Sequence, residues 1–431
     1  MRATEILDGN RLYQTPRPAN IPQDQIKCAF LGKGFDGTPA MIPFNNDLLS
    51  RHILFLGGIG TGKTNSFFQL VNQLRHQLAD NDVMIIFDSK GDFLERFYSP
   101  GDVVISNDDR ARGTFGADYW NIFNEMENDE HLEENVIEIA NCLFSDKIEK
   151  TSQPFFPLAA KGIFSAVLTH LVRSGASETN NEALRSFLDR SPTGEIRQML
   201  EMYPEFRAMV SYIEDDYSPQ TQGVMSELQT TIREIFIGNF KKKGTLSIRN
   251  LVRQKKGRKV FIEYDLAIGG LLTPIYKLMF DMAIKEALSV HKTIGNVYLI
   301  TDEFKLLPNL QHIDDAVNFG RGQGIKLMVG VQNISQIYDA YGEERAKSIL
   351  SGLLTTVCFR VNDGDSREYI KNIHGKNIKQ DIYSSIASKA LTENIREAYV
   401  VEDWDISRLG LGEAIVGLPG AEPFLFKFNK A

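Results

Sequence analysis

The sequence predicts an α/β protein: a mostly parallel, doubly wound sheet interrupted by an inserted all-helical domain. Three observations carry this. Apolar runs of strand length alternate with helical periodicity on both sides of the chain's middle. Between about 124 and 245 only helical patterns occur, and β-branched alternation is scarce. One strand-to-helix junction carries Gly57-Gly58-Ile59-Gly60-Thr61-Gly62-Lys63-Thr64, which fits G-x-x-x-x-G-K-[ST] at every fixed position. The expected division is 1–123, a β lead-in and the first part of the α/β domain; 124–245, the helical insertion; and 246–431, the rest of the α/β domain.

Residues 1–50 hold two short apolar runs, Ala29-Phe30-Leu31 and Ala40-Met41-Ile42-Pro43, separated by Gly and Asp turns. Ile53-Leu54-Phe55-Leu56 reads as a buried strand, and Phe67, Phe68, Leu70, Val71, Leu74 and Leu78 as one face of the next helix. Val83-Met84-Ile85-Ile86-Phe87 is a second buried strand. It ends in Asp88-Ser89-Lys90-Gly91-Asp92, either a ligand-facing strand end or a solvated turn. Val103-Val104-Ile105 is a further short strand. From Glu125 to Glu138 seven acidic residues occur with no Lys or Arg, which the pattern assigns to the solvated face of an amphipathic helix. Helical patterns follow at 154–172, 182–188, 194–202, 205–213 and 221–236. The strands resume at 259–264, 297–301, 326–331 and 355–360, with a long helix expected over 272–291 and a strand pair at 413–418 and 423–428.

The chain has 431 residues, of which 42% are hydrophobic and 24% charged, so it can bury large cores. Cys28, Cys142 and Cys358 lie far apart, which argues against a disulfide framework, and no His or Cys cluster has metal-ligand spacing. No apolar run approaches the roughly 20 residues needed to cross a bilayer, and the first 22 residues lack a signal-peptide core. The expectation is a cytoplasmic protein. A net charge of −8 excludes a generic polyanion binder, so any nucleic-acid contact must come from local basic surface.

The glycine loop dictates the first chemistry. Glycines let backbone N–H groups curl round phosphate oxygens, and the following helix N-terminus adds positive partial charge. The expected nucleotide-binding residues are Gly57, Gly58, Ile59, Gly60, Thr61, Gly62, Lys63, Thr64 and Asn65, with Lys63 on the β- and γ-phosphates and the Thr64 hydroxyl on Mg²⁺. Val297-Tyr298-Leu299-Ile300-Thr301-Asp302-Glu303 supplies the partner: Asp302 for Mg²⁺ and Glu303 to polarise the attacking water. An Asp-Glu pair points to ATP hydrolysis, and no N-K-x-D-like guanine-reading motif is present. In Gly320-Arg321-Gly322-Gln323-Gly324, Arg321 is either a surface turn residue or an arginine able to enter a neighbouring site; Arg360 is a second candidate for that role. Gln332 follows a strand, where it could sense the γ-phosphate or the water.

From Lys241 to Lys259 there are nine Lys or Arg residues and no acid. Phosphate contact is one reading. Leu246, Ile248 and Leu251 favour the other, a packed connecting element, and aromatic interleaving is missing.

Taken together, these residues resemble the type IV coupling proteins, the conjugative DNA-transfer ATPases of the FtsK–HerA superfamily. The likeness runs from about residue 30 to the end. It rests on His52-Ile53-Leu54-Phe55-Leu56-Gly57 leading into the loop, Asp88-Ser89-Lys90-Gly91-Asp92, Gln153-Pro154-Phe155-Phe156 with Ala159, and Thr245-Leu246-Ser247 to Leu251. It continues in Asp302-Glu303-Phe304, Gly320-Arg321 to Gly324 with Gln332, and Tyr341-Gly342. The resemblance implies a RecA-like domain bearing a helical domain, a homo-hexameric ring with ATP and Mg²⁺ between subunits, Arg321 acting in trans, and DNA moved through the pore. It also implies recognition of a relaxase or secretion-substrate protein by the helical domain. Most family members carry an N-terminal transmembrane segment, whereas this sequence reaches its loop by residue 57. The expectation is a soluble member that meets the inner face of the membrane only through a partner. Two other functions fit the same residues: an ATPase handling protein substrates through its helical domain, and a nucleotide-gated DNA-processing or defence assembly.

Overall fold

A computed structural model describes residues 2–18, 20–108, 118–126, 130–175, 179–289, 295–384 and 391–431. Its strands are β1 (Arg2–Asp8), β2 (Cys28–Lys33), β3 (Pro39–Phe44), β4 (Ile53–Leu56), β5 (Val83–Asp88), β6 (Val103–Ile105) and β7 (Arg258–Glu263). They continue with β8 (Val297–Thr301), β9 (Ile325–Val331), β10 (Thr355–Cys358), β11 (Lys376–Ser384), β12 (Leu391–Tyr399), β13 (Glu413–Gly417) and β14 (Phe424–Phe428). The chain divides into two compact units. Met1–Ile86, Ile294–Asn309 and Ile313–Ala431 form the first; Phe87–Thr293 and Leu310–His312 form the second.

In the first unit the large sheet runs β3-β2-β14-β13-β10-β4-β9-β8-β5. Its centre is parallel: β10, β4, β9 and β8 pair in one direction. β13, β14, β2 and β3 add an antiparallel edge. Every residue of β4, β8 and β9 is buried, as expected for parallel strands covered on both faces. The helix after the glycine loop, Lys63–Leu74, lies on β2 in an unusual way. The Gln69 amide bonds the Leu31 N–H and C=O at 2.8 and 3.0 Å, and the Gln73 amide does the same for Ala29 at 3.0 and 2.7 Å. Two side chains thus complete backbone pairing that a strand would otherwise supply.

The same unit holds a separate antiparallel sheet, β1-β11-β12, that the sequence reading missed. Arg2–Asp8, which carries no apolar run in the sequence, forms β1 and pairs with β11. Charge alternation hid β11 and β12: Asp381, at 1% exposure, accepts Thr4 Oγ1 at 2.6 Å and Arg396 Nε at 3.0 Å, so one face is held by polar contacts.

The second unit pairs β6 with β7 in parallel and is otherwise helical. Its helices are Asp92–Phe97, Leu132–Lys150, Phe155–Arg173, Asn181–Arg190, Thr193–Glu201, Pro219–Ile235, Ile248–Gln254 and Gly269–Leu288. Asn180, Ser218 and Ser247 cap three of them by accepting backbone N–H groups. The pattern at 205–213 forms a 3-10 helix at Arg207–Ile213 instead of an α-helix. The long helix ends at Leu288, short of the expected 291, and 290–291 lie outside the described residues. Phe155–Arg173 corrects the expectation about apolar runs: at 19 residues it is long and apolar enough to cross a membrane. Here it packs on Leu132–Lys150 and Pro219–Ile235, with Ile163, Phe164 and Val167 fully buried.

The acidic stretch is only partly a solvated face. Glu125 is fully buried and accepts Trp120 Nε1 (2.8 Å), the Ile248 N–H (2.7 Å), the Arg249 N–H (3.1 Å) and Ser247 Oγ (3.1 Å). Burial pushes its carboxyl above the usual range against those donors. Glu138 is also buried, bonded to Lys285 and lying 2.6 Å from His312 Nε2. Residues 127–129 lie outside the described residues. The excursion Leu310–His312 is held here too, because Asp281 accepts the Gln311 and His312 N–H groups at 3.0 and 3.2 Å.

Candidate nucleotide site

The site lies wholly in the first unit, at the C-terminal ends of three parallel strands. Register places them: Leu56 of β4 stands opposite Val331 of β9 and Cys358 of β10. The chain therefore leaves β4, β9 and β10 at one edge, as ligand crevices of open α/β sheets require. The Gly57 N–H bonds Val331 O at 3.1 Å, and the Gly58 N–H bonds Arg360 O at 3.0 Å. Beyond them Gly60 (φ 72°) and Gly62 (φ 112°) take left-handed conformations that side chains disfavour.

Lys63 opens the helix and is buried, its Nζ donating to Gly57 O at 3.0 Å, so the ammonium lies folded over its own loop. Thr61 Oγ1 donates to Gly58 O at 2.8 Å and braces the turn. β8 then delivers its two acids. Thr301 pairs with Val329 in β9, and a Cβ at Gly330 would stand 2.6 Å from Asp302 O, so glycine there lets the two backbones approach. Thr64 Oγ1 donates to Asp302 Oδ2 at 3.4 Å. Gln332 Nε2 donates to Glu303 Oε2 at 2.8 Å, and Lys305 Nζ lies 3.5 Å from Glu303 Oε1. The structure thus joins Thr64 to Asp302 and Glu303 to Gln332, residues far apart in sequence.

One hydroxyl and one carboxylate side by side suit Mg²⁺, which takes few protein ligands and completes its shell with water and phosphate oxygens. Among the described residues no group of three or more His, Cys, Asp or Glu could hold a metal alone.

Arg321 stands elsewhere. It lies in the 3-10 helix Gly320–Gln323, half-exposed, and pairs with Asp47 at 2.6 Å. Arg360 is exposed, and its carbonyl holds the glycine loop of its own chain. Sequence reasoning missed the groups that flank the loop: the Gly412 N–H bonds Thr61 O at 2.9 Å, and the backbone of Asn429 and Ala431 bonds the Asn65 amide. Phe304 stacks on Tyr341 with centroids 5.4 Å apart, and Tyr341 Oη donates to Leu307 O at 2.5 Å, pinning the chain just after Glu303.

Two other sequence features are engaged within the fold. Asp88 is not in a solvated turn: buried, it accepts the Gly91 and Leu94 N–H groups at 2.9 and 2.8 Å, the second in the first turn of the helix Asp92–Phe97. Part of the basic run is engaged inside the fold. Arg249 and Arg253 both bond Glu286, at 3.0 and 2.6 Å; Lys259 pairs with Asp102 at 3.0 Å; Lys242 lies over the Tyr119 ring; Lys255 is 2% exposed. Lys241, Lys243 and Lys256 are exposed.

Residues 37–406 match the family described as type IV secretion-system coupling protein DNA-binding domain. The chain belongs to that family. Among curated coupling proteins, it is 22% identical to coupling protein TraD of Escherichia coli K12 over 83% of this chain and 47% of TraD. It is 22% identical to the type IV secretion system-coupling protein VirD4 of Bartonella quintana over 76% of this chain and 53% of VirD4. This coupling-protein chain therefore spans about half the length of the curated relatives it matches. Its fold matches the bacterial conjugative coupling protein TrwBdeltaN70, unbound, with a TM-score of 0.77 over 99% of this chain and 94% of that one, at 20% identity. TrwB in complex with ADP and Mg²⁺ matches with a TM-score of 0.74 at 19% identity. The mixed α/β fold with a helical segment is thus that of the coupling proteins. No described helix before residue 155 is long and apolar enough to cross a membrane.

Proposed function

We propose that this chain is an ATP-hydrolysing DNA translocase of the coupling-protein kind, working as a homo-hexameric ring. The observation that carries the catalytic half is the Glu303–Gln332 hydrogen bond beside the Thr64–Asp302 pair, at the mouth of the glycine loop. Loop N–H groups and Lys63 would hold the β- and γ-phosphates, and Lys63 would leave Gly57 O to do so. Thr64 and Asp302 would hold Mg²⁺, which offsets phosphate charge when bound. Glu303 would orient a water and take its proton as the oxygen attacks the γ-phosphorus, the bond to the β-phosphate oxygen breaks, and ADP leaves. Gln332 fixes the carboxylate for that task. The solved TrwB complexes with an ATP analogue and with ADP and Mg²⁺ support the nucleotide assignment. Arg321, exposed and paired with the surface carboxylate of Asp47, is suited to act on a neighbour's phosphates. The DNA half rests on the family match. In this reading a relaxase or secretion-substrate protein would be recruited by the helical segment, and the membrane reached through a partner.

One observation favours a second reading, an ATPase that handles protein substrates: three of the nine charges of the basic run, on Arg249, Arg253 and Lys259, are spent in ion pairs within the fold. ATPase assays decide between them. Phosphate release is measured at low salt without DNA, with single-stranded DNA and with duplex, alongside Lys63→Ala and Glu303→Gln. The translocase reading expects stimulation by DNA and loss of turnover in both variants. Turnover indifferent to either DNA would remove the DNA half, and Glu303→Gln turning over normally would remove the catalytic assignment.

A further inference from the structure

The residue after the phosphate loop is engaged on both sides of its amide. Asn65 Nδ2 donates to Asn429 O at 2.8 Å, and Asn65 Oδ1 accepts the Ala431 N–H at 2.7 Å. An amide facing extended backbone in this way copies strand pairing. One turn on, Gln69 Nε2 also donates to Asn429 O, at 2.7 Å. The same strand end reaches the middle of the loop by a second route. The Phe428 N–H bonds Gly412 O at 2.8 Å, and the Gly412 N–H bonds Thr61 O at 2.9 Å. There a Cβ on Gly62 would stand 3.0 Å from Gly412 Cα, and Gly412 itself has φ 73°. Backbone at Gly412, itself bonded to the end of β14, therefore holds the loop at Thr61, and the residues just after β14 hold its exit.

We propose that Asn65 is a positioning residue: with Gly412 and the backbone of Asn429 and Ala431, it sets the shape of the phosphate loop and does not itself contact the nucleotide. The inference rests on the nucleotide site proposed above. Its physics is simple. Helix-end N–H groups bind phosphate only where they converge on it. A loop with four glycines among Gly57 to Gly62 has little conformational preference of its own, so its shape must be imposed from outside. When that hold is lost, affinity falls by the fraction of molecules still in the competent shape. Part of the affinity for nucleotide is thereby assigned to backbone more than 350 residues further along the chain.

The test is calorimetric. Binding of the magnesium complex of a non-hydrolysable ATP analogue is measured for the wild type, Asn65→Ala, Ala431→Pro and the double variant, with a melting temperature for each. Ala431→Pro removes the N–H and leaves Asn65 intact. Gln73→Ala serves as a control, because Gln73 ties the same helix to β2 through Ala29 without touching residues 429–431. The expected result is about fivefold weaker binding in Ala431→Pro and about tenfold in Asn65→Ala, the double variant no worse than the second. Gln73→Ala should melt earlier yet bind as the wild type does. Wild-type binding in Ala431→Pro beside weak binding in Asn65→Ala would overturn the proposal and make Asn65 a direct ligand. Equal losses in Gln73→Ala would overturn it in favour of plain stability. A wild type that binds no nucleotide would overturn the underlying site and this inference with it.

Discussion

Gln332→Ala tests the catalytic geometry most directly, because it removes one contact and leaves the glycine loop alone. Gln332 Nε2 stands 2.8 Å from Glu303 Oε2, and Glu303 is 8% exposed, so water cannot easily replace the lost donor. A hydrogen bond to a charged group contributes about 1.5–3 kcal/mol. If all of it serves to hold the carboxylate in its working pose, kcat falls about tenfold to 150-fold, since 1.36 kcal/mol is a factor of ten. KM for Mg-ATP should stay within about threefold, because the contact is made to Glu303 and not to the loop. Gln332→Glu gives a sharper signature. It sets a second carboxylate where the amide stood, and two like charges that close cannot both ionise, so the pair's apparent pKa rises. The acid limb of the pH–rate profile should then move upward. The assay is steady-state phosphate release at saturating Mg-ATP across pH 6–9, with nucleotide affinity measured in parallel. Gln332→Ala with wild-type kcat, or with its loss carried by KM, would refute the orienting role.

Arg321→Ala should leave the melting temperature unchanged, because an exposed ion pair such as Arg321–Asp47 contributes only about 0–1 kcal/mol. If Arg321 is an arginine finger in trans, its loss should lower kcat by about 10³–10⁵, and mixing this variant with Lys63→Ala subunits should restore some turnover; no gain on mixing would remove the trans role. Charge reversal at Lys241 and Lys243 should preserve folding and flatten the salt dependence of DNA binding, whereas Lys255→Glu reverses the charge of a side chain 2% exposed and should destabilise the protein by several kcal/mol in a urea melt. Burial raises the Asp281 carboxyl from its usual 3.8 to about 6. Stability from its protonated form is fully present below the unfolded value and is lost as pH rises through about 6. The wild type should therefore gain about 1 kcal/mol on Asp281→Asn as pH is lowered from 7 to 5, read from paired denaturant melts.

Strands buried on both faces announce themselves as unbroken apolar runs, which is why β4, β5, β8 and β9 were legible. The phosphate loop was legible because its chemistry is local: glycines, a lysine and a hydroxyl at fixed spacing. Asp302 and Glu303 were legible as a strand ending in acids, but their bonds to Thr64 and Gln332 depend on register between β4, β8 and β9, which no local pattern encodes. β11 and β12 escaped because charges such as Asp381 and Arg396 satisfy each other across strands, and hydropathy cannot see a match of that kind. Glu125 and Glu138 misled for the same reason. Inside an acidic run they look solvated, and only the fold reveals the backbone N–H groups and His312 that wait for them. The hold on Asn65 was invisible because its partners are main-chain atoms, which any residue at those positions would supply.

The return of Leu310–His312 to the second unit bears on the order in which the protein is made. At about 5–20 residues per second, His312 leaves the ribosome about 1.5–6 s after Asp281. Until then the Asp281 carboxylate, 1% exposed in the finished protein, lacks the Gln311 and His312 N–H groups that satisfy it. The helices of the second unit must wait, with an acid unanswered in their core, while the whole of β8 is synthesised. A nascent chain stalled before residue 310 would keep that acid unanswered, so completion of the second unit is timed by the translation of a strand that belongs to the first.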